Sequence, residues 1–232
     1  MALFYQHTIN ENTKLGIWRI EENESFFLNT VPLQQEISHP HKRLQHLAGR
    51  YLLQYMFPDF PYDLIKIADT RKPFLTNEAY HFSISHCGDF AAAIVSRKNR
   101  VGVDIEQVKP MIQRIRHKFL SEDEMKLLED SQKDFGFTAI NTSDVISSVT
   151  TQSSLPSPNI YVLTLAWSAK EAIYKWHGNG GLDFKKHMQL KSLKQNPQNR
   201  IDACYSLNME PPIVMNLVSQ VMDDLVLTYV VT

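Results

Sequence analysis

The chain has 232 residues, 43% of them hydrophobic, with 24 Lys and Arg against 25 Asp and Glu. That length supports one large domain or two small lobes with their own cores. Because the charges nearly cancel, the composition argues against nucleic-acid binding, and an anionic ligand would need a local basic patch.

Residues 1–14 show no charged-then-apolar signal pattern, and no apolar run approaches the ~20 residues of a membrane-spanning helix. The two cysteines, Cys87 and Cys204, are too few for a disulfide framework and suit a reducing compartment. These features predict a cytoplasmic protein that does not enter a membrane.

The first half of the chain alternates between helical and strand-like patterns. Residues 42–57 place apolar side chains at helical spacing and predict an amphipathic helix, which prolines then end. Residues 65–68 predict a strand. Three further strand-like runs cover 80–85, 90–96 and 101–106, and the short connections between them favour hairpins in an antiparallel sheet.

The second half begins with Ser121 and Glu124 in the spacing of a capping box, which predicts a helix start. Residues 138–159 hold ten Ser or Thr and predict an inserted loop. The C-terminal stretch predicts a hairpin that turns at Asp223 and Asp224. Together these patterns predict an α+β fold with antiparallel strands.

Two segments carry acidic side chains of the kind that bind metal ions or take part in catalysis. Alternation along VGVDIE, residues 101–106, places Asp104 and Glu106 on one face of a strand. The segment WSAKEAIYK, residues 167–175, predicts a helix that carries Glu171. If the strand and the helix pack together, the three carboxylates converge on one cation, and an all-oxygen set suits Mg²⁺ or Mn²⁺.

Each feature also has a plain structural interpretation. Asp104 and Glu106 could simply face solvent on an edge strand. Glu171 and Lys175, four residues apart, could form an ordinary surface ion pair. Against that interpretation, the apolar neighbours of Glu171 predict a largely buried helix, on which charges need partners or a function.

The sequence contains neither of the glycine-rich motifs GxxxxGK(S/T) and GxGxxG, whose backbone amides bind phosphate. Phosphate groups would therefore have to be bound by side chains. The basic candidates are Lys42, Arg43, Arg50, Arg71, Lys72, His86, Lys170 and Lys175. Arginine suits bidentate phosphate contacts, whereas lysine and histidine supply single donors. His86, taken alone, is more typical of a turn residue.

Four segments, in this order, resemble the motifs of the 4′-phosphopantetheinyl transferases, most closely the surfactin-synthetase-activating (Sfp) type. The segments are Arg71–Leu75, Phe82–His86, Val101–Glu106 and Trp167–Lys175. The resemblance covers roughly residues 42–184. The last two motifs are specific together, and the first two are supportive.

The resemblance implies two similar α/β lobes related by pseudo-twofold symmetry, residues 1–104 and 105–232, with coenzyme A in the cleft between them. It implies a Mg²⁺-dependent transferase of the holo-[acyl-carrier-protein] synthase type. Such an enzyme moves 4′-phosphopantetheine from coenzyme A to a serine of an apo acyl or peptidyl carrier protein and releases adenosine 3′,5′-bisphosphate. The family also implies a monomer.

The motif match implies roles for the acidic residues and for Lys175. Asp104, Glu106 and Glu171 would hold Mg²⁺, or Mn²⁺, against the pyrophosphate. Glu171 and Lys175 are the predicted catalytic residues. Glu171 is the leading candidate for the base that accepts the serine proton, although a carboxylate that binds metal is a weak base.

The resemblance also implies a set of coenzyme A contacts. The predicted set is Arg43, Arg50, Lys72, Pro73, Ser85, His86, Lys170 and Lys175. Within it, Arg43 and Arg50 are the candidates for the 3′-phosphate, and either could instead be a helix-face residue.

The partner of such an enzyme is an acidic carrier protein, and residues 109–118 form a dense basic stretch. This stretch predicts a docking surface, although a solvated helix face fits equally well. In the family the helix that starts near Glu124 is followed soon by the one at Trp167. The stretch 138–159 departs from that pattern.

Two other functions compete. A catalytically silent module that binds coenzyme A or a carrier protein would not need all three acids. A Mg²⁺-dependent nucleotide phosphohydrolase would use similar ligands, but it does not explain the ordered motifs.

Overall fold

Strands dominate the computed structural model, which describes residues 3–33, 36–131, 160–196, 201–207 and 209–232. The strands are β1 (Leu3–Asn10), β2 (Thr13–Arg19), β3 (Ile65–Ile67), β4 (Pro73–Leu75), β5 (His81–Cys87), β6 (Phe90–Ser96), β7 (Val101–Gln107), β8 (Met188–Gln195), β9 (Ile201–Leu207), β10 (Ile213–Met222) and β11 (Leu225–Val231). The helices are α1 (Glu24–Leu28), α2 (Pro40–Met56), α3 (Ile112–Phe119), α4 (Glu122–Ser131) and α5 (Ile160–His177). The predicted insertion 138–159 lies outside the described residues.

Two antiparallel sheets organise these elements. The first has the strand order β1-β2-β6-β5 and the second β7-β11-β10-β9-β8, while β3 and β4 pair separately. Helix α2 packs on the first sheet, and α5 packs on β7 and β11 of the second. The predicted α+β fold with antiparallel strands is confirmed, and each sheet carries one long helix.

The long helices form where the sequence pattern predicts them. The buried face of α2 includes Leu47, Leu52 and Leu53, which are fully inaccessible to solvent. Helix α5 is buried around most of its circumference, as its apolar composition indicates. It ends because Gly178 adopts a left-handed backbone (φ 74°), and the amide of Gly178 bonds to Tyr174 O at 3.0 Å.

Local signals also set the ends of other elements. The capping box is present: Ser121 N donates to Glu124 Oε2 at 2.9 Å, and Glu124 N donates to Ser121 Oγ at 3.3 Å. The C-terminal hairpin turns between β10 and β11 at Asp223, whose φ is 53°. Both features confirm the sequence prediction.

The second predicted hairpin, between residues 90–96 and 101–106, is wrong. Strand β6 pairs with β5, as expected, but its other edge is taken by β2. Because both edges of β6 are occupied, β7 cannot join it and pairs with β11 of the second sheet instead. The second sheet therefore begins at Val101, so the predicted lobe boundary at residue 104 would cut through β7.

Strands β5 and β7 meet edge to edge between the two sheets without backbone pairing. Side chains of β5 accept hydrogen bonds from backbone amides of β7 at alternate positions. The pairs are Ser83 Oγ with Val103 N (3.2 Å), Ser85 Oγ with Ile105 N (3.3 Å) and Cys87 Sγ with Gln107 N (3.2 Å). We call this contact the β5–β7 seam, and it fixes one sheet against the other.

An apolar cluster spans the two sheets beside the seam. It includes Ile17 and Ile94 of the first sheet and Val103 and Leu227 of the second. Of the helices in the described ranges, none has the length and apolar character needed to cross a bilayer. Cys87 and Cys204 both carry free thiols.

Candidate active site

Helix α5 lies unusually close to β7, and Gly102 permits this approach. A Cβ atom at Gly102 would overlap the carbonyl oxygen of Ala172 and lie 2.9 Å from Trp176 N. Glycine inside a strand is the sequence signal of such close backbone approach. The contact brings the face of β7 that carries Asp104 and Glu106 against the helix that carries Glu171.

We expect Gly102→Ala to lower the free energy of unfolding by about 3 kcal/mol, because the added methyl group must push α5 away from β7. Urea denaturation of the purified variant measures the change. Gly16→Ala is the matched control, since a Cβ there meets the movable side chain of Leu52 at 3.1 Å. Equal losses for both variants would show that Gly102 has no special packing role.

Asp104, Ser85 and Lys175 form a hydrogen-bonded group that joins both sheets and the helix. Lys175 Nζ lies 2.6 Å from Asp104 Oδ1 and 2.7 Å from Ser85 Oγ. Ser85 Oγ donates to the same Asp104 Oδ1 at 2.8 Å. Among the residues that the structure describes, none bonds the second carboxylate oxygen of Asp104, Oδ2, which is buried.

Glu106 is oriented by Trp167, one turn of α5 before Glu171. Trp167 Nε1 donates to Glu106 Oε1 at 3.0 Å. The indole packs edge-on to Phe119, with ring centroids 5.1 Å apart, and lies 5.5 Å from the ring of Phe184. These contacts hold the indole in place, so its N–H fixes the carboxylate on the face that α5 covers.

The electrostatics of the site disfavour the ionised forms of Glu106 and Glu171. Burial, and then the negative charge of Asp104, raise the pKa of Glu171 to about 7, although Lys175 acts in the opposite direction. Burial and Asp104 also raise the pKa of Glu106. Carboxylates that raise one another's pKa in this way form a place where a cation is favourable.

The acids fit a hard cation in chemistry but do not enclose one as they stand. Among the residues that the structure describes, no three acidic, histidine or cysteine side chains are arranged to hold a metal ion. The ammonium of Lys175 lies on Asp104 Oδ1, while Oδ2 is without a partner. The donor set of Asp104, Glu106 and Glu171 therefore fits Mg²⁺ or Mn²⁺, and the metal site stays a prediction.

A cavity of about 230 Å³ opens beside this group, between the two halves of the chain. Its lining residues are Thr70, Arg71, Lys72, Pro73, Phe82, Ser83, Ile84, Glu171, Tyr174, Lys175 and Gly178. Lys72 and Pro73, predicted along coenzyme A, thus share a cavity with Glu171 and Lys175. Burial, and then the charge of Arg100, lower the pKa of Lys72 to about 8.

The predicted residues of the N-terminal half lie in different places. Burial lowers the pKa of His86, and the nearby charge of Lys175 lowers it further. Arg50 is buried against His46, and its Nε has no hydrogen-bond partner. Arg43 instead pairs with Glu24 at 2.8 Å. Arg43 Nε likewise has no partner among the described residues, so an unpaired donor does not distinguish the two arginines, although the terminal nitrogens of Arg43 bond to Ile37 O and Glu24.

Lys170, also predicted to contact coenzyme A, points away from the cavity. Its ammonium is fully buried, 2.7 Å from Glu124 Oε1. It also donates to the carbonyl oxygens of Phe119, Phe184 and Met188 at 2.7, 2.9 and 3.0 Å. We therefore assign Lys170 to the packing of α5, because every one of its donors is satisfied inside the second half of the chain.

Comparison with known proteins places this geometry in a family. Residues 100–230 match the family model described as the 4′-phosphopantetheinyl transferase superfamily. The match covers more than half of the chain and includes β7 and α5. The chain belongs to this superfamily.

Individual relatives agree with that assignment. The chain is 34% identical over 134 residues to enterobactin synthase component D of Salmonella austin, covering 58% of this chain and 47% of the relative. It is 26% identical over 166 residues to 4′-phosphopantetheinyl transferase AcpT of Escherichia coli O157:H7, covering 70% and 74%. The chain spans about half the length of these enterobactin synthase relatives.

Sequence reasoning missed two residues that build the site. Gly102 lies in the motif VGVDIE, whose acidic residues alone were considered, although a glycine inside a strand is itself a signal of close packing. Arg100 carries no local signal at all. Its contact with the end of α5 joins residues more than seventy positions apart, and only the folded chain reveals it.

Proposed function

We propose that this protein transfers the 4′-phosphopantetheine group of coenzyme A to a serine of an apo acyl or peptidyl carrier protein. The observation that carries the proposal is the meeting of Ser85, Asp104 and Lys175 beside Glu171, at a cavity between the two halves of the chain. Membership of the superfamily supports the same reaction.

The reaction forms one phosphorus–oxygen bond and breaks another. The serine oxygen attacks the phosphorus that bears the pantetheine group, and the pyrophosphate bond opens. Adenosine 3′,5′-bisphosphate leaves with the electron pair of that bond. Little covalent chemistry is left to the protein, so catalysis consists of positioning and charge stabilisation.

A divalent cation would be held by Asp104, Glu106 and Glu171. When bound, such an ion neutralises charge on the pyrophosphate and aligns the phosphorus for attack. Trp167 fixes Glu106 for this task. Ser85, through its bond to Asp104, keeps the carboxylate of Asp104 turned so that Oδ2 is left without a protein donor.

The basic residues bind the phosphates. Lys175, whose side chain is 27% exposed, lines the cavity and would place its ammonium against the pyrophosphate. Lys72 lines the same cavity, and His86 lies near Lys175. Arg43 and Arg50, each with a buried Nε that no described residue bonds, are our candidates for the 3′-phosphate. A cation at the pyrophosphate stabilises the transition state, because negative charge grows on the leaving phosphate during transfer.

Glu171 is our candidate for the base. Burial raises its pKa to about 7 in the metal-free protein, but a bound cation would lower that pKa and weaken Glu171 as a base. The carboxylate would take the serine proton as the phosphorus–oxygen bond forms. Since Glu171 also belongs to the cation set, it holds the two roles together.

The carrier protein would dock beside α3. That helix buries Ile112 and Phe119 and turns Arg114 and Lys118 to solvent. Phe119 contacts Trp167, which holds Glu106. A negatively charged carrier attracted to this face would thus arrive next to the acids, with charge acting mainly on the association rate.

The intact mass of an apo carrier protein tests the proposal. After incubation with this protein, coenzyme A and Mg²⁺, we expect the carrier to gain one phosphopantetheine, and EDTA should prevent the gain. Asp104→Asn should slow the reaction about 100-fold, because it removes charge from the cation set. Glu122→Gln, which changes an exposed acid of α4, is the matched control and should stay near the wild-type rate.

Other outcomes would favour the competing functions. If coenzyme A binds but no carrier class gains mass, the protein is a silent binding module. Nucleotide release from coenzyme A in the absence of any carrier would indicate a phosphohydrolase.

A further inference from the structure

The C-terminal end of α5 is held by a cation from outside the helix. Arg100 Nε donates to Trp176 O at 2.9 Å, and a terminal nitrogen of the same guanidinium donates to His177 O. The last carbonyl groups of a helix have no partner within it and carry partial negative charge. Arg100 satisfies two of them and supplies the favoured sign of charge.

The side chain of Trp176 completes this contact. The guanidinium of Arg100 stacks over the indole at 4.5 Å from the ring centroid. The indole Nε1 donates to Thr232 Oγ1 at 2.9 Å, which fixes the ring beneath the guanidinium. Arg100 therefore grips both the backbone and the side chain of Trp176.

The positions of these residues along the chain connect the contact to the site. Arg100 directly precedes β7, which carries Asp104, and Trp176 directly follows Lys175. Between these points, Gly102 packs against the backbone of Trp176. The contact of Arg100 with Trp176 thus ties together the two backbone segments whose side chains meet where Lys175 Nζ lies 2.6 Å from Asp104 Oδ1.

We propose that Arg100 is a positioning residue for the transfer reaction. By holding the end of α5 at the start of β7, it sets how far along the strand Lys175 stands, and so keeps the ammonium on Asp104 and Ser85. This inference rests on the proposed function. Much of the Arg100 side chain is exposed, so it contributes more to the placement of the helix than to core packing.

Lys72 supports the same end of the helix but does not replace Arg100. Its Nζ donates to Trp176 O at 3.2 Å, on a carbonyl that Arg100 already uses. Thr70 Oγ1 donates to the carbonyl oxygen of Gly178, just beyond the end of α5, at 2.8 Å. Lys72 and Thr70 both line the cavity, whereas Arg100 lines an adjoining one that shares Lys72 with it. A substitution at Arg100 therefore leaves the lining residues of the first cavity in place.

The test is the transfer rate of Arg100→Met, measured with and without Lys175. We expect kcat to fall about tenfold while KM for the carrier is unchanged, since a shift of about 1 Å in a reacting geometry has effects of this order or larger. In a Lys175→Met background, Arg100→Met should add less than about twofold. A loss of kcat that is equal in both backgrounds would overturn the proposal.

The matched control is Arg97→Met. Arg97 lies in the same connection before β7, but it pairs with Asp59 and Tyr80 of the first half. We expect its kcat to stay within about twofold of wild type, because it does not touch α5. Wild-type kcat in Arg100→Met as well would refute the positioning role.

Hydrogen exchange separates this inference from the proposed function. Amides at the end of α5, including Gly178, should exchange faster in Arg100→Met than in wild type, and not in Arg97→Met. If wild-type protein transfers nothing, the proposed function fails, yet faster exchange still shows that Arg100 holds the helix end. If exchange is unchanged in Arg100→Met, Arg100 does not hold the helix, and the inference is wrong whatever the activity.

Discussion

Glu171→Gln is expected to reduce phosphopantetheine transfer by about 1000-fold and, at the same time, to make the metal-free protein more stable above pH 7. The loss of transfer follows because the amide can neither accept the serine proton nor contribute a negative charge to the cation set. The gain in stability follows from the raised pKa. An ionised Glu171 is buried beside Asp104, whereas a glutamine there carries no charge.

The pH dependence has a definite sign. Glu171 has a pKa of about 7 in the folded protein, against an ordinary value of 4.5. Between these values the native state holds a proton that the unfolded state has lost. The free energy of unfolding therefore falls as pH rises from about 4.5 to about 7. Glu171→Gln removes this fall and should gain about 2 kcal/mol at pH 8, allowing for the solvent that reaches the side chain.

Urea denaturation at pH 5 and pH 8, without metal, measures the effect. We expect the two proteins to differ little at pH 5 and clearly at pH 8. Added Mg²⁺ should then stabilise the wild type and leave Glu171→Gln nearly unchanged, because binding to the native state adds to its stability. A variant that is less stable than wild type at pH 8 would show that Glu171 is not under electrostatic strain.

Lys170→Met should produce the largest loss of stability, about 4 kcal/mol, because it leaves the buried carboxylate of Glu124 without its partner. The side chains of Lys170 and Glu124 are 0% and 1% exposed. Removal of the ammonium also takes away the hydrogen bonds that it donates to three backbone carbonyl oxygens, those of Phe119, Phe184 and Met188. Guanidinium denaturation measures the change.

The matched control is Lys126→Met, an exposed lysine on α4, for which we expect a change within about 0.5 kcal/mol. The double variant Lys170→Met with Glu124→Gln should recover part of the loss, since neither residue then carries an unpaired charge. If Lys170→Met alone were as stable as Lys126→Met, the buried pair would not hold α5. In that case Lys170 would again be open to a role in binding coenzyme A.

The parts of this fold that the sequence predicts are those set by nearby residues. The helix that carries Glu171 follows from its apolar neighbours. The capping box at Ser121 and Glu124 needs only a spacing of three residues. In these cases the interactions close within one or two turns of chain, so a local pattern contains the whole cause.

The parts that the sequence does not predict depend on distant partners. Strand β7 looks like the next member of a hairpin, yet β2, some eighty residues earlier, already occupies the edge of β6. Lys170 and Lys175 stand in the same short segment, yet the ion-pair partner of Lys170, Glu124, lies in another helix. A lysine gives the same local signal in either setting, so only the three-dimensional packing distinguishes a ligand contact from a buried ion pair.

The β5–β7 seam has a consequence for how this protein tolerates change. Two strands joined by backbone hydrogen bonds can shift by two residues and form the same pattern of hydrogen bonds again, with each side chain still on its own face. Here the side chains of Ser83, Ser85 and Cys87 accept the hydrogen bonds, so these three residues fix the alignment of the two sheets. Ser85 also contacts Asp104 and Lys175. A substitution at Ser85 would therefore disturb both the alignment of the two sheets and the candidate active site.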